Sequence, residues 1–302
     1  MSLVAFVLVF SAAFAHAGWN VIAHGVSRAG YPFLWWGALS STLVWIGVVP
    51  FTGGLGTADL GAFALGVLVS SALHVAYMVV LQHGYRVGAL STVYATARGT
   101  GPFLSVIVAM LLFGERPSPL ALVGVAVVIG GIVAIGFVDR AGSASAVSSA
   151  PGDSAPVGAA RRGIDPGLLF GLLTGVAIAG YTVWDAFVVR SLSLNPVAFM
   201  VGTTLAQLPF YSVAVRGRWK GVAALGRAQW RRILAFGILS PLSYILVLHA
   251  VQLAPVALVA PLREVSVVLV SLFGALVLHE GSPAWRIGAS AVVVAGIALL
   301  AV

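Results

Sequence analysis

YATARGTGPFLSVIVAMLLFGE, from Tyr94 to Glu115, is apolar enough to cross a membrane, yet it carries Arg98 in its interior and ends on Glu115. The chain repeats this arrangement in LREVSVVLVSLFGALVLHE, from Leu262 to Glu280, where Arg263 and Glu280 each fall 165 residues after Arg98 and Glu115. Two hydrophobic helices, each with a buried-depth arginine and a terminal glutamate, organise the reading of everything else.

Of the 302 residues, 60% are hydrophobic and 8% charged, with a mean hydropathy of +1.08, a composition outside the range of soluble domains. A spanning helix needs about 20 apolar residues, and the chain is mostly such runs with short breaks. A formal charge of +8 in such a chain points to basic loops facing anionic headgroups rather than to nucleic acid. There are no cysteines, so disulfides are excluded. The histidines are too scattered for a metal site, and no cofactor is expected. Ala12–Ala17 looks like a small-residue cleavage site, but no basic segment precedes the first apolar run, which reads as a mature helix.

Ten spans are expected, near 2–24, 32–51, 60–82, 88–113, 118–138, 166–189, 196–215, 231–252, 255–278 and 283–301. The long break, 139–165, is rich in Ala, Gly, Ser and Pro and reads as a flexible linker between two five-span repeats, 1–138 and 166–302. Trp19-Asn20 in the first span answers Trp184-Asp185 in the sixth at the same 165-residue offset. An odd number of spans per repeat inverts one half relative to the other, a construction used by secondary transporters with a binding site near the midplane. The fold class is therefore an all-α polytopic membrane protein of ten helices in two inverted repeats. If loops alternate sides, one side receives Arg28, Arg86, the linker arginines, the cluster 216–232 and Arg286, whereas the other receives Arg116 and Arg190. Positive-inside then puts linker 139–165 and loop 216–232 in the cytoplasm and both termini outside. Loop 216–232, with Trp219 and Trp230 among its charges, reads as an interfacial anchor.

Arg98 and Arg263 each cost about 2.5–3.5 kcal/mol at a helix centre. Entering from opposite faces about nine residues deep, roughly 14 Å, both guanidiniums would arrive near the midplane. They suit a carboxylate, phosphate or phosphonate; the alternative is internal neutralisation by Glu264 or Asp185. Those two acids lie deep in apolar segments and are candidates for proton coupling, or for plain ion pairs between helices. Glu264, a helix neighbour of Arg263, should not fully share its face. His16, Trp19 and Asn20 form one stripe at helical spacing and Tyr181, Trp184 and Asp185 its counterpart, either as cavity walls or as interhelical contacts. His74 with Tyr77, Tyr94 with Arg98, and Tyr244 with His249 and Gln252 are further inward-facing candidates. Gly101-Pro102 and Ala260-Pro261 should loosen helices four and nine. Gly167, Gly171, Gly175 and Ala179 form a small-residue ladder for close packing. Glu115 and Glu280, each shortly before a proline, should orient the following turn.

On the Gly114-Glu115 and His279-Glu280 helix ends, the His-Ala-Gly-Trp-Asn and Pro-Leu-Arg-Glu-Val-Ser stretches and the ten-span repeat, the chain resembles the drug/metabolite transporter superfamily, in the branch with two EamA domains. The resemblance implies alternating access about a central cavity in a plasma membrane (the bacterial inner membrane), often proton-linked, and many bacterial members are exporters. The expectation is a secondary-active carrier, an exporter, for a small anionic or zwitterionic metabolite such as an amino acid or organic acid. Its partners would be the lipid bilayer, the solute and protons as coupling ion, and its state a monomer or homodimer. The rivals are an exporter of organic cations or drugs, an intramembrane lipid-phosphate enzyme using a histidine near an arginine, and a structural or receptor-like membrane subunit.

Overall fold

The computed structural model describes residues 1–302 apart from 24, 27–28, 89, 149–164, 277–282 and 302. His279 and Glu280 thus lie outside the described residues, as does most of the linker. Among the described residues, eleven α-helices follow in order: α1 (Leu3–Ala23), α2 (Tyr31–Ile46), α3 (Leu60–Val87), α4 (Leu90–Leu112), α5 (Pro119–Ser148), α6 (Pro166–Ser191), α7 (Pro196–Ala214), α8 (Trp219–Leu253), α9 (Val256–Arg263), α10 (Val265–Leu276) and α11 (Pro283–Ala301). The ninth expected span is the broken pair α9–α10, so the described helices account for the ten expected spans. Among the described residues, 7 helical segments are long and apolar enough to cross a bilayer.

Helix starts follow local chemistry. Asp59, Asp165 and Asn195 accept from the first free N–H groups of α3, α6 and α7, and proline occupies the first helical position of α6 and α7, where no N–H is required. Two boundaries differ from expectation. Helix α5 runs to Ser148, ten residues into the stretch read as linker, because Ala and Ser there sustain a helix and no proline intervenes before Pro151. The basic segment 216–232 is mostly helical: α8 begins at Trp219 and kinks at Gln229, whose φ of −124° is not helical.

The packing respects exchange of the two halves. Helix α1 packs on α8 as α3 does on α6; α4 packs on α6 as α9 and α10 do on α1; α5 packs on α11. The last contact is reciprocal in detail. A Cβ on Gly131 would lie 3.2 Å from Val293 N, and one on Gly296 would lie 2.8 Å from Val128 N. These are the same two positions related by the repeat offset. The small-residue ladder serves the α4–α6 crossing: a Cβ on Gly171 would meet Thr96 Cβ at 2.6 Å and one on Gly175 would meet Thr100 Cβ at 2.6 Å.

One end of the bundle is tied together by Glu115. Its carboxylate accepts from Val256 N (2.9 Å) and Ala257 N (2.8 Å), capping α9, and from Arg190 Nη1 (2.7 Å). Three donors on one buried carboxylate join the end of α4 to α6 and α9. Nearby, Asn195 donates to the Thr52 carbonyl and its backbone N–H to Leu55 O (3.1 Å). Glu115→Ala is expected to destabilise the fold by about 3 kcal/mol, the scale for breaking a buried charge pair. Arg190→Ala should cost about 1 kcal/mol, because Arg190 is partly exposed and the helix N–H groups remain. Thermal midpoints in detergent check this; equal losses would contradict the cap.

Candidate functional site

A cavity of about 320 Å³ lies between the two halves. Its wall comes from the second half of α1, the last turns of α3, the first turns of α2 and α4, the middle of α6, Met200 of α7, α8 between Phe236 and Val247, and Arg263. It therefore runs from the middle of the bundle toward the end opposite Glu115. Of the residues expected to bind solute, His16, Trp19, Asn20, His74, Tyr77, Tyr94, Arg98, Tyr181 and Arg263 all line it.

Trp184 does not. Its indole Nε1 donates to Gly66 O (3.1 Å) across the α3–α6 contact, and the ring faces a separate apolar groove with Phe113 and Phe187. The stripe on α6 is thus split: Trp184 lies about 60° round the helix from Tyr181, far enough to meet α3 instead of the cavity. Tyr181 stays on the wall.

The centre is a shared ion pair. Arg98 Nη1 donates to both Glu264 oxygens, at 3.2 and 3.4 Å, and Arg263 Nη2 lies 3.5 Å from Glu264 Oε1. Glu264 is 0% exposed. Arg263 and Glu264 meet despite being chain neighbours, contrary to the expectation from an unbroken helix, because the helix is interrupted between them. α9 ends at Arg263, Glu264 has ψ −4°, and α10 starts at Val265. Pro261 supplies no N–H to α9, which frees a carbonyl one turn back. Pro102, by contrast, leaves α4 continuous from Leu90 to Leu112. Two guanidiniums against one carboxylate leave one positive charge at the end of the cavity.

Neighbouring groups fix Arg98 further. Its Nη2 lies 3.3 Å from His16 Nε2, and its guanidinium sits 5.3 Å from the Tyr94 ring centroid. Arginine only donates, so His16 Nε2 is the acceptor and its proton is on Nδ1. Asn20 Nδ2 donates back to His16 O (2.8 Å). Trp19 Nε1 and Arg263 Nε are buried without a protein partner among the described residues, two donors available to an acceptor in the cavity.

A second cluster sits behind the wall. Asp185, 0% exposed, accepts from Tyr244 Oη at 2.5 Å and lies 3.9 Å from His74 Nε2. His74 stacks on Tyr181 with centroids 4.2 Å apart. Of the trio on α8, Tyr244 alone reaches the cavity; His249 contacts Gln252 (3.2 Å), and Gln252 donates to Val189 O (3.1 Å) beyond it. Wall residues that the sequence reading passed over include Met78, Gln82, Tyr85 and Phe236. Their signal was present: Met78, Gln82 and Tyr85 continue the His74–Tyr77 stripe at helical spacing. Tyr244→Phe is expected to cost about 2 kcal/mol, since it removes the donor to a buried carboxylate. A thermal midpoint equal to wild type would show that this bond contributes nothing.

Residues 165–302 match the model of the EamA-like transporter family. No curated protein matches the chain. A solved structure described as "Crystal structure of protein" superposes with a TM-score of 0.69 at 17% identity, over 98% of this chain and 95% of its own. At that identity the likeness is one of fold alone.

Proposed function

We infer that this chain, whose second half is an EamA-like transporter domain, carries a small anionic or zwitterionic metabolite, such as an organic acid or amino acid, across a plasma membrane. The observation that carries the reading is the charge at the cavity end: Arg98 and Arg263 share the single carboxylate of Glu264. An intramembrane charge left in excess marks a solute path, and guanidiniums suit a carboxylate. Trp19 Nε1 and Arg263 Nε would supply donors to it. Tyr77, Tyr94, Tyr181 and Phe236 would pack against an apolar or ring-bearing body.

Under positive-inside, the cavity extends toward the side of Arg86 and the 216–232 cluster, which is the cytoplasm, and Glu115 and Arg190 close the outer side. This is the state from which an exporter loads. The aromatic wall and Glu264 also suit an organic cation, which is the second reading.

Thermal stabilisation of the purified protein separates them. Carboxylates from a panel of amino acids, organic acids, phosphonates and organic cations are expected to raise the midpoint by mass action. Arg98→Ala and Arg263→Ala should each lose the shift. Stabilisation by cations alone, retained in both variants, would refute the anion reading.

A further inference from the structure

The two buried acids are not equivalent. Glu264 faces two guanidiniums. Asp185 has no cation in hydrogen-bond contact: Oδ2 takes the Tyr244 hydroxyl, and Oδ1 is buried with no partner among the described residues. The groups turned toward Asp185 are His74 and Ser70 of α3, Tyr244 of α8 and Arg263 of α9. Glu264, Arg98 and His16 follow in turn beyond Arg263, and Tyr181 shares the helix of Asp185.

The contacts of His74 sharpen the point. Its Nδ1 lies 3.0 Å from the Ser70 carbonyl and 3.3 Å from Ser70 Oγ, so that nitrogen has a partner in either tautomer. Nε2 is turned toward the Asp185 carboxylate at 3.9 Å. A buried imidazole and carboxylate facing each other have room for one added proton, as imidazolium or as carboxylic acid on Asp185. His74 lines the cavity while Asp185 lies behind it, so the proton has a route from cavity water through His74.

Charge balance connects that proton to the solute. With Asp185 ionised, the excess positive charge of the Arg98–Glu264–Arg263 cluster is balanced from behind the wall, and the two arginines and two acids sum to zero. With a proton on the pair they sum to +1, and a bound monoanion restores neutrality. In a low-dielectric site either change alone leaves a net charge, and both together do not. We propose that the His74–Asp185 pair binds one exchangeable proton together with a solute monoanion at Arg98 and Arg263, so that anion and proton cross together. This rests on the anion site proposed above and adds its coupling ion. Linkage is reciprocal, so the anion raises the pair's hold on the proton as much as the proton raises anion affinity.

The test is calorimetric titration of the full-length protein in detergent with benzoate, phenylacetate and lactate. Each is run in buffers of different ionisation enthalpy, which counts the protons bound. Wild type is expected to take up about one proton per anion on the alkaline side of the pair's titration. There Kd should rise about tenfold per pH unit. Asp185→Asn, neutral at every pH, should bind the anion with no proton uptake and no pH dependence. His74→Gln, whose amide can donate to ionised Asp185, should move the dependence to lower pH, and it decides the matter should Asp185→Asn not fold. Anion binding that needs both arginines but takes up no proton overturns the coupling and leaves the carrier reading intact. Undiminished uptake in Asp185→Asn, or an unmoved profile in His74→Gln, also overturns the coupling. Failure of all three anions to bind wild type overturns both readings.

Discussion

A single carboxylate, Glu264, between two guanidiniums from different halves of the chain is the constraint on which the rest of the structure depends. Either arginine alone in the bundle centre would carry a large desolvation cost. Bringing them to one acid offsets much of that cost and ties α4 to the α9–α10 junction. The break at Glu264 is what allows a chain neighbour of Arg263 to turn back onto it. The bundle centre is therefore held by an arrangement that satisfies its charges incompletely, and the remainder faces the cavity.

The halves pair with each other by equivalent contacts, as the α5–α11 glycines show, but the cavity is not symmetric. His16, Trp19 and Asn20 line it on α1, whereas on α6 only Tyr181 of the corresponding stripe does, and Trp184 is bonded to the backbone of α3. On the carrier reading proposed above, an inverted repeat symmetric in packing and asymmetric in cavity would be one of two states that exchange when the halves swap roles, and Glu115, which caps α9 and holds Arg190, would be the lock on its closed side. The glycine crossings of α4 on α6 and α5 on α11 let these helices approach closely without side chains between them.

Much of this was legible in the sequence because a membrane imposes simple rules. Apolar runs gave the helices, since a bilayer offers the backbone no other partners. The 165-residue offset tied Arg98 to Arg263 and Trp19 to Trp184. Most wall residues followed from stripes at helical spacing. What could not be read is tertiary in origin. Periodicity does not tell which arc of α6 faces the cavity, so Trp184 was misplaced. Glu264 contacts Arg263 through a local helix break that spacing alone argues against. His16 reaches Arg98 across 82 residues, a contact with no trace in the local pattern. Asp185 could be recognised as a buried acid, but its Tyr244 and His74 partners depend on where three helices meet.

Glu264→Gln tests the central claim most directly, with binding of benzoate and of tetraphenylphosphonium measured on wild type and variant. If Glu264 is the internal counter-charge of an anion site, removing its charge leaves both arginines free for the solute. The account then predicts that the variant binds benzoate more tightly than wild type and gains no affinity for the cation. Tight tetraphenylphosphonium binding by wild type that the variant loses, with benzoate bound by neither, would contradict it and make Glu264 the binding residue of a cation carrier.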